Sequence, residues 1–315
     1  MTPGPSPAER DAVVARLRDA GCVWAEDETR LLVEAAGSPE ALAALVDRRV
    51  TGEPLEYLLG WAEFCGERIA VEPGVFVPRA RTALLVSAAV AVTGPAAAVV
   101  VELCCGSGAI TRALARRLAA PRLRAAVDLD PVAAACARRN LAALAVPVFV
   151  GDLFDPLPAA WRGSLDLVVA NAPYVPTGAI GLMPSESRRY ETPVALDGGP
   201  DGLAVLRQVA AAASGWLAPG GHLVVEVGSD QVDALRSALT EAGLVPVVVR
   251  DDDLDATAMV GCQPACGGHP NQDDPRVPSA WPGADRPVGR PAWRADGTRT
   301  SLTSGRDGGR RSSGG

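Results

Sequence analysis

The sequence predicts an α/β fold: a doubly wound, mostly parallel sheet preceded by a small N-terminal helical domain. Three observations carry this. From residue 99 to about residue 260, short apolar runs of strand length alternate with helix-like stretches of about 10 to 15 residues. Residues 8 to about 60 show helical spacing of apolar positions with no alternating run among them. A glycine-rich segment follows the first apolar run, which is where a parallel sheet places its ligand loop.

The helical region is marked by Val13, Val14 and Leu17, then Leu31, Leu32 and Ala35, then Leu42, Leu45 and Val46. Gly21 and Gly37 separate the helices, and Ser38-Pro39-Glu40 has the form of an N-cap with proline in the first turn. Residues 1–60 are therefore expected to form a small helical domain, and substrate recognition is the task expected of it. Residues 61–80 change period: Phe64, Ile69, Val71, Val75, Phe76 and Val77 alternate with polar positions around Gly66 and Pro73-Gly74, as a hairpin linker would. A helix is expected over 82–92. Strands are expected at 99–101, 125–127, 146–150, 165–170, 223–227, 245–249 and 256–260. Helices at 109–120, 131–144, 203–217 and 231–242 alternate with them. This makes 81–264 one domain. From about residue 265 the chain turns to Pro, Gly, Asp, Arg and Ser, a composition that cannot bury enough to offset its ordering entropy, so 265–315 is expected to be a disordered tail.

Composition narrows the function. Aromatic residues make up only 4%, so the core must be built from Ala, Val and Leu. A net charge of −7 argues against a broad phosphate-binding surface and hence against extensive nucleic-acid contact. The sequence contains no lysine, which excludes a Schiff-base lysine and a P-loop. The 7 cysteines are odd in number and scattered, a pattern that suits a reducing cytoplasm better than a disulfide framework. Neither a secretory leader nor an apolar run of membrane-spanning length is evident.

The candidate site lies at the carboxyl ends of the expected strands. Glu102-Leu103-Cys104-Cys105-Gly106-Ser107-Gly108 leaves the first strand; Gly106 and Gly108 allow close backbone approach to a ligand. Thr111 stands where a dinucleotide fingerprint needs its third glycine. The acidic start suits S-adenosylmethionine, which is cationic and has no pyrophosphate. Asp128 ends the second strand, where a carboxylate can accept both ribose hydroxyls, and Asp152 follows the third, near the expected adenine. Asp130-Pro131 reads equally as a helix cap. The fourth strand ends in Asn171-Ala172-Pro173-Tyr174. Its carboxamide oxygen and a loop carbonyl can accept the two N–H groups of a planar nitrogen while the Tyr ring covers the face. Together these point to methyl transfer from S-adenosylmethionine to nitrogen, with no metal.

Beyond these motifs, the segments Gly52-Glu53-Pro54-Leu55-Glu56-Tyr57-Leu58-Leu59-Gly60, Ala62-Glu63-Phe64, Val75-Phe76-Val77-Pro78-Arg79, Gly198-Gly199-Pro200-Asp201-Gly202-Leu203 and Pro219-Gly220-Gly221 carry a resemblance. Up to about residue 261 the chain resembles the protein-(glutamine-N5) methyltransferases that modify peptide chain release factors. The resemblance implies a helical bundle joined to a seven-stranded methyltransferase sheet. It also implies a protein substrate such as a release factor. By position, Cys104, Cys105, Gly106, Ser107 and Gly108 would line the methionine part of the cofactor. Asp128 would bind ribose, Asp152 and Leu153 would flank adenine, and Asn171, Ala172, Pro173 and Tyr174 would hold the glutamine amide. The family usually has Asn-Pro-Pro-Tyr, an Asp-x-Gly loop start, and Pro with acidic residues after Pro-Arg. Ala172, Glu102 with Cys104, and Ala80, Arg81 and Ala83 stand in those places and mark a divergent member.

Two other readings use the same residues. One is amino methylation of nucleic acid, adenine N6 for example, with Tyr174 stacked on the base; the net charge opposes it. The other is a non-catalytic cofactor-binding protein whose loop has drifted, with Ala172 as its sign. Cys262, Cys266 and His269 offer three metal ligands where zinc sites use four. Glu186, Arg188, Arg189 and Glu191 form either a flap over the substrate or a solvated charged loop.

Overall fold

The computed structural model describes residues 5–93, 98–119 and 121–265. Helix α1 (Pro7–Asp19) begins where Ser6 accepts the Glu9 N–H and Glu9 reaches back to the Ser6 N–H. Helices α2 (Ala25–Ala35), α3 (Pro39–Val50) and α4 (Leu55–Leu59) follow. Ser38 caps α3 by accepting the Ala41 N–H, as the Ser-Pro-Glu run predicts. Leu17, Leu31, Leu32, Leu42, Val46 and Leu55 meet in one apolar core that holds the four helices together.

Strands β1 (Trp61–Phe64) and β2 (Glu67–Ala70) form an antiparallel hairpin with Trp61 opposite Ala70. The hairpin is shorter than the expected 61–80, because residues 71–79 leave β2 and run along the larger domain, bridging to it at Gly74 and Glu191.

The larger domain carries β3 (Val99–Leu103), β4 (Arg122–Asp128), β5 (Val148–Val150), β6 (Leu165–Ala170), β7 (Leu217–Glu226), β8 (Val245–Asp251) and β9 (Ala256–Cys262). These seven strands pair in the order β5-β4-β3-β6-β7-β9-β8. All neighbours are parallel except β9, which is antiparallel to β7 and β8. Helices α5 (Ala83–Thr93), α6 (Ala109–Arg117) and α7 (Pro131–Leu141) cover one face. After the short α8 (Ser185–Tyr190), helices α9 (Ala204–Ala213) and α10 (Val232–Glu241) cover the other. The two-residue period of a strand divides β6 between the faces: Leu167 and Val169 pack on the first, Val168 and Ala170 on the second. The core is largely Ala, Val and Leu, as the low aromatic content requires.

Several boundaries differ from expectation. Helix α6 stops at Arg117, and the helix expected over 203–217 ends at Ala213. The chain has turned by Leu217 and enters β7 six residues before the expected strand start at 223. Pro219-Gly220-Gly221, which reads as a turn, lies inside that strand beside a register shift between Leu165 and Leu167. A Cβ on Gly221 would sit 2.7 Å from the Leu165 carbonyl oxygen, so only glycine fits. The expected tail beyond residue 265 lies outside the described residues.

Winding reverses between β3 and β6: β3 leads outward to β4, and β6 leads the other way to β7. The loops after these two strands therefore part and open a crevice at the carboxyl ends of the sheet. The turn around Gly202 supports one wall of that crevice. Gly202 has φ +77°, and a Cβ there would come within 2.3 Å of both the Tyr174 carbonyl oxygen and Gln231 Nε2. Gln231 Nε2 donates to the carbonyls of Tyr174 and Asp201, at 2.9 Å each. Gly202→Ala should destabilise the chain by about 1–3 kcal/mol through strain and clash, read as a lower urea midpoint with an unchanged slope.

Candidate active site

The glycine-rich loop is tied to the neighbouring strand by its own backbone. Cys104 takes a left-handed turn at φ 52°, and the Cys105 N–H then donates to the Val127 carbonyl at 3.0 Å. The Gly106 N–H donates to Asp128 Oδ2 at 2.7 Å, and the Asp130 N–H to Asp128 Oδ1 at 2.9 Å. Each Asp128 oxygen keeps a second lone pair for a ligand. Gly108 sits at φ +76°, and a Cβ there would press to 3.0 Å from Leu141 Cδ1 on α7. Asp130 caps α7 by accepting the Val132 N–H at 2.8 Å, so its role is the structural one.

Glu102 ends β3 at 1% exposure and accepts the Thr111 N–H at 2.8 Å as well as the Thr111 hydroxyl. Thr111 stands at the position of the missing third glycine and turns it to use as a clasp. Burial raises the Glu102 carboxyl to about 8 and lifts Asp128 above its ordinary value. Cys104 and Cys105 are held as thiols by the same burial and by the nearby carboxylates. Asp152 is exposed beyond β5, and Leu153 adopts φ 44° beside it. Among the described residues, no arginine forms an ion pair with Glu102, Asp128 or Asp152. Asp128 and Asp152, on adjacent strand ends without a basic partner, suit a cationic ligand such as S-adenosylmethionine, while Glu102, holding its proton up to about pH 8, contributes a hydrogen-bonding group rather than a charge.

Across the switch point, Asn171 to Tyr174 follow β6 and line the same cleft of about 880 Å³ as Glu102, Asp128, Asp152 and Leu153. Ala172 is 1% exposed and packs into the core beside Phe154 and Leu203. Asn171 Nδ2 donates to Thr82 Oγ1 at 3.2 Å. The Tyr174 hydroxyl donates to Glu226 Oε1 at 2.7 Å; burial first, then Glu226, push that phenol well above its usual range, so it remains a donor. Of the expected site residues, all but Gly108 border one crevice; Gly108 turns instead against Leu141 and Ala137 of α7. Pro173 stiffens the loop between them and lines the cleft with them.

Several contacts of this site join residues far apart in the chain and escape a reading by motif. Arg79 Nη2 pairs with Glu191 Oε1 at 2.5 Å, and the Val77 N–H reaches the same oxygen at 3.3 Å. Tyr57 donates to the Val75 carbonyl at 2.7 Å. Glu186 lies 3.9 Å from Arg49 of α3. The charged segment around α8 is therefore not a solvated loop: it is pinned to the linker by Glu191 and approaches the helical lobe through Glu186. Thr82 and Glu226 join the site from the start of α5 and the end of β7. A lone Glu in the apolar run Leu223-Val224-Val225-Glu226-Val227 was the available signal.

Residues 100–190 match the model of a methyltransferase domain. Over 229 residues the chain is 39% identical to the release factor glutamine methyltransferase of Geobacter sulfurreducens, a match covering 71% of this chain and 79% of that protein. Over 232 residues it is 42% identical to the release factor glutamine methyltransferase of Mycolicibacterium smegmatis, covering 72% and 82% respectively. It also matches a 4-amino-L-phenylalanine/4-methylamino-L-phenylalanine methyltransferase of Streptomyces pristinaespiralis at 37% identity over 204 residues, 63% of this chain and 69% of the other.

Glu102 generates a pH prediction. Its folded-state value of about 8 lies above the ordinary 4.5, so between them the folded chain holds a proton that the unfolded chain releases. Raising the pH across that window favours unfolding. In urea titrations the unfolding free energy of the wild type should fall relative to Glu102→Gln as pH rises from about 5 to about 8. A constant difference would show Glu102 ionised in the folded chain.

Proposed function

The chain belongs to the release factor glutamine methyltransferase family, and we propose that it transfers the methyl group of S-adenosylmethionine to the side-chain amide nitrogen of a glutamine in a peptide chain release factor. Its matched relatives and its methyltransferase domain make it an S-adenosylmethionine-dependent protein-glutamine methyltransferase. The release factor as substrate, the cytoplasm as its location and the residue roles are this reading's own steps.

The observation that carries the reading is the orientation of Asn171. Its Nδ2 is engaged by Thr82 at 3.2 Å, which leaves Oδ1 as an acceptor for the cleft. S-adenosylmethionine, when bound, supplies an electrophilic methyl group on a cationic sulfur. In this reading Glu102 and Cys104, Cys105, Gly106, Ser107 and Gly108 hold its methionine part, Asp128 its ribose, and Asp152 with Leu153 its adenine; Asn171 borders both ligands. The side chains of Asp128 and Asp152, which have no basic partner among the described residues, support that assignment. An amide nitrogen is a poor nucleophile because its lone pair is delocalised into the carbonyl. Asn171 Oδ1 and the Ala172 carbonyl accept its two N–H groups and aim the lone pair, Pro173 keeps the loop stiff, and Tyr174 covers the amide plane. The main-chain acceptor survives the replacement of proline by Ala172, since only its carbonyl is used. Displacement at a sulfonium needs no acid for the leaving group, so positioning supplies most of the acceleration. Residues 1–60 and the linker to residue 80 recognise the protein substrate.

A second acceptor is favoured by one relative and one side chain. The Streptomyces protein is named for an aryl amine on an amino acid. Here Arg81, paired through Nε with Glu226 at 3.1 Å and with its side chain 47% exposed, borders the cleft as the cation a substrate carboxylate would meet. Purified release factor, 4-amino-L-phenylalanine and adenine-containing DNA, each offered with labelled S-adenosylmethionine, separate the readings. Label in release factor glutamine is the expected result; label only in the amino acid or the DNA overturns it. Asn171→Ala should abolish transfer and leave cofactor affinity by calorimetry nearly intact; equal loss of both would remove Asn171 from its role. Asp128→Asn should weaken cofactor binding by about tenfold or more, as loss of a charge-assisted hydrogen bond does.

A further inference from the structure

Glu226 closes β7 at the carboxyl end of the sheet, 2% exposed. Three groups converge on it. The Thr82 hydroxyl donates to Oε2 at 2.7 Å, the Tyr174 hydroxyl donates to Oε1 at 2.7 Å, and Arg81 Nε lies 3.1 Å from Oε1. A threonine hydroxyl has one proton and two lone pairs. Thr82 commits its proton to Glu226, so toward Asn171, 3.2 Å away, it can only accept. Asn171 must then present Nδ2 to Thr82, and its planar amide turns Oδ1 the other way.

We propose that Glu226 and Thr82 are positioning residues that fix which end of the Asn171 carboxamide faces the acceptor substrate. The inference rests on the role given to Asn171 above. Rotation of an Asn amide by a half turn exchanges oxygen and nitrogen with almost no change of shape, so packing alone does not choose between them. In the wrong rotamer a donor would face the substrate N–H, and the site would repel what it must hold. The Glu226–Thr82–Asn171 relay chooses by the direction of its protons. Tyr174 hangs from the same carboxylate, so one buried anion orients two of the four loop residues. Arg81 and the two hydroxyls compensate the cost of burying that charge.

The test compares Thr82→Val, Thr82→Ser, Glu226→Gln and Asn171→Ala with the wild type, using purified release factor and labelled S-adenosylmethionine. Thr82→Val keeps the shape and removes the hydroxyl; kcat should fall at least about tenfold, as when a fixed polar group at a reacting centre is lost. KM for the release factor and the calorimetric Kd for the cofactor should each move less than about threefold, the pattern of an interaction made mainly in the transition state. Thr82→Ser restores the hydroxyl and should hold kcat within about threefold of wild type. Glu226→Gln presents an amide N–H toward one of its partners; with Arg81 retaining the oxygen, the N–H faces Thr82, frees its proton for Asn171 Oδ1, and should lower kcat as Thr82→Val does. If Glu226→Gln does not fold, the Thr82 pair decides alone. The inference is overturned if Thr82→Val keeps its kcat, or if Thr82→Ser falls as far as Thr82→Val. Transfer that survives in Asn171→Ala overturns the assigned role of Asn171 itself, whichever way the Thr82 variants behave.

Discussion

The reversal of winding between β3 and β6 is the constraint on which the rest of the site depends. Helices α5, α6 and α7 pack on one side of the sheet and α9 and α10 on the other, so the loops leaving those two strands separate. One loop is acidic and glycine-rich, the other carries Asn171 and Tyr174, and the crevice keeps them at a fixed separation. Neither loop sets that separation by itself. It is set by the hydrogen-bonded register of Val100 to Leu167 through Leu103 to Ala170.

The polar groups that line this crevice are held by one another rather than by solvent. Thr111 clasps Glu102, backbone N–H groups hold Asp128, and Gln231 supports the Tyr174 carbonyl. Glu102 is fully buried, Asp128 and Tyr174 are half-buried, and each has at least one partner outside its own strand or loop. Loss of any one would leave its partner unsatisfied in a low-dielectric setting, which costs more than a surface hydrogen bond contributes. This is how a largely aliphatic core supports a polar cleft without collapse.

The parts of this arrangement that were legible in the sequence are those that depend on neighbours in the chain. The apolar run ending in Asn171, the Gly106 and Gly108 turn, and the Ser38 cap each announce themselves within a few residues. Strand β7 was read short because Pro219-Gly220-Gly221 has turn composition, and only the sheet shows Gly221 pressed against the Leu165 carbonyl. Thr82 and Glu226 were invisible as a pair because 144 residues separate them. The charged segment near α8 could be read two ways for the same reason: its deciding partner, Arg79, comes 112 residues before Glu191. Sequence patterns report period and local caps; they do not report which distant side chain a buried charge will meet.

Asn140 on α7 has a consequence for how the two lobes work together. Its amide exchanges two hydrogen bonds with the backbone of Ala70 at the end of the hairpin, and its Nδ2 also reaches the Ser107 carbonyl in the glycine-rich loop. The hairpin is thereby bolted to the floor of the cleft. One planar amide thus serves both, and a displacement of β2 at Ala70 would be felt at the Ser107 carbonyl beside the cleft.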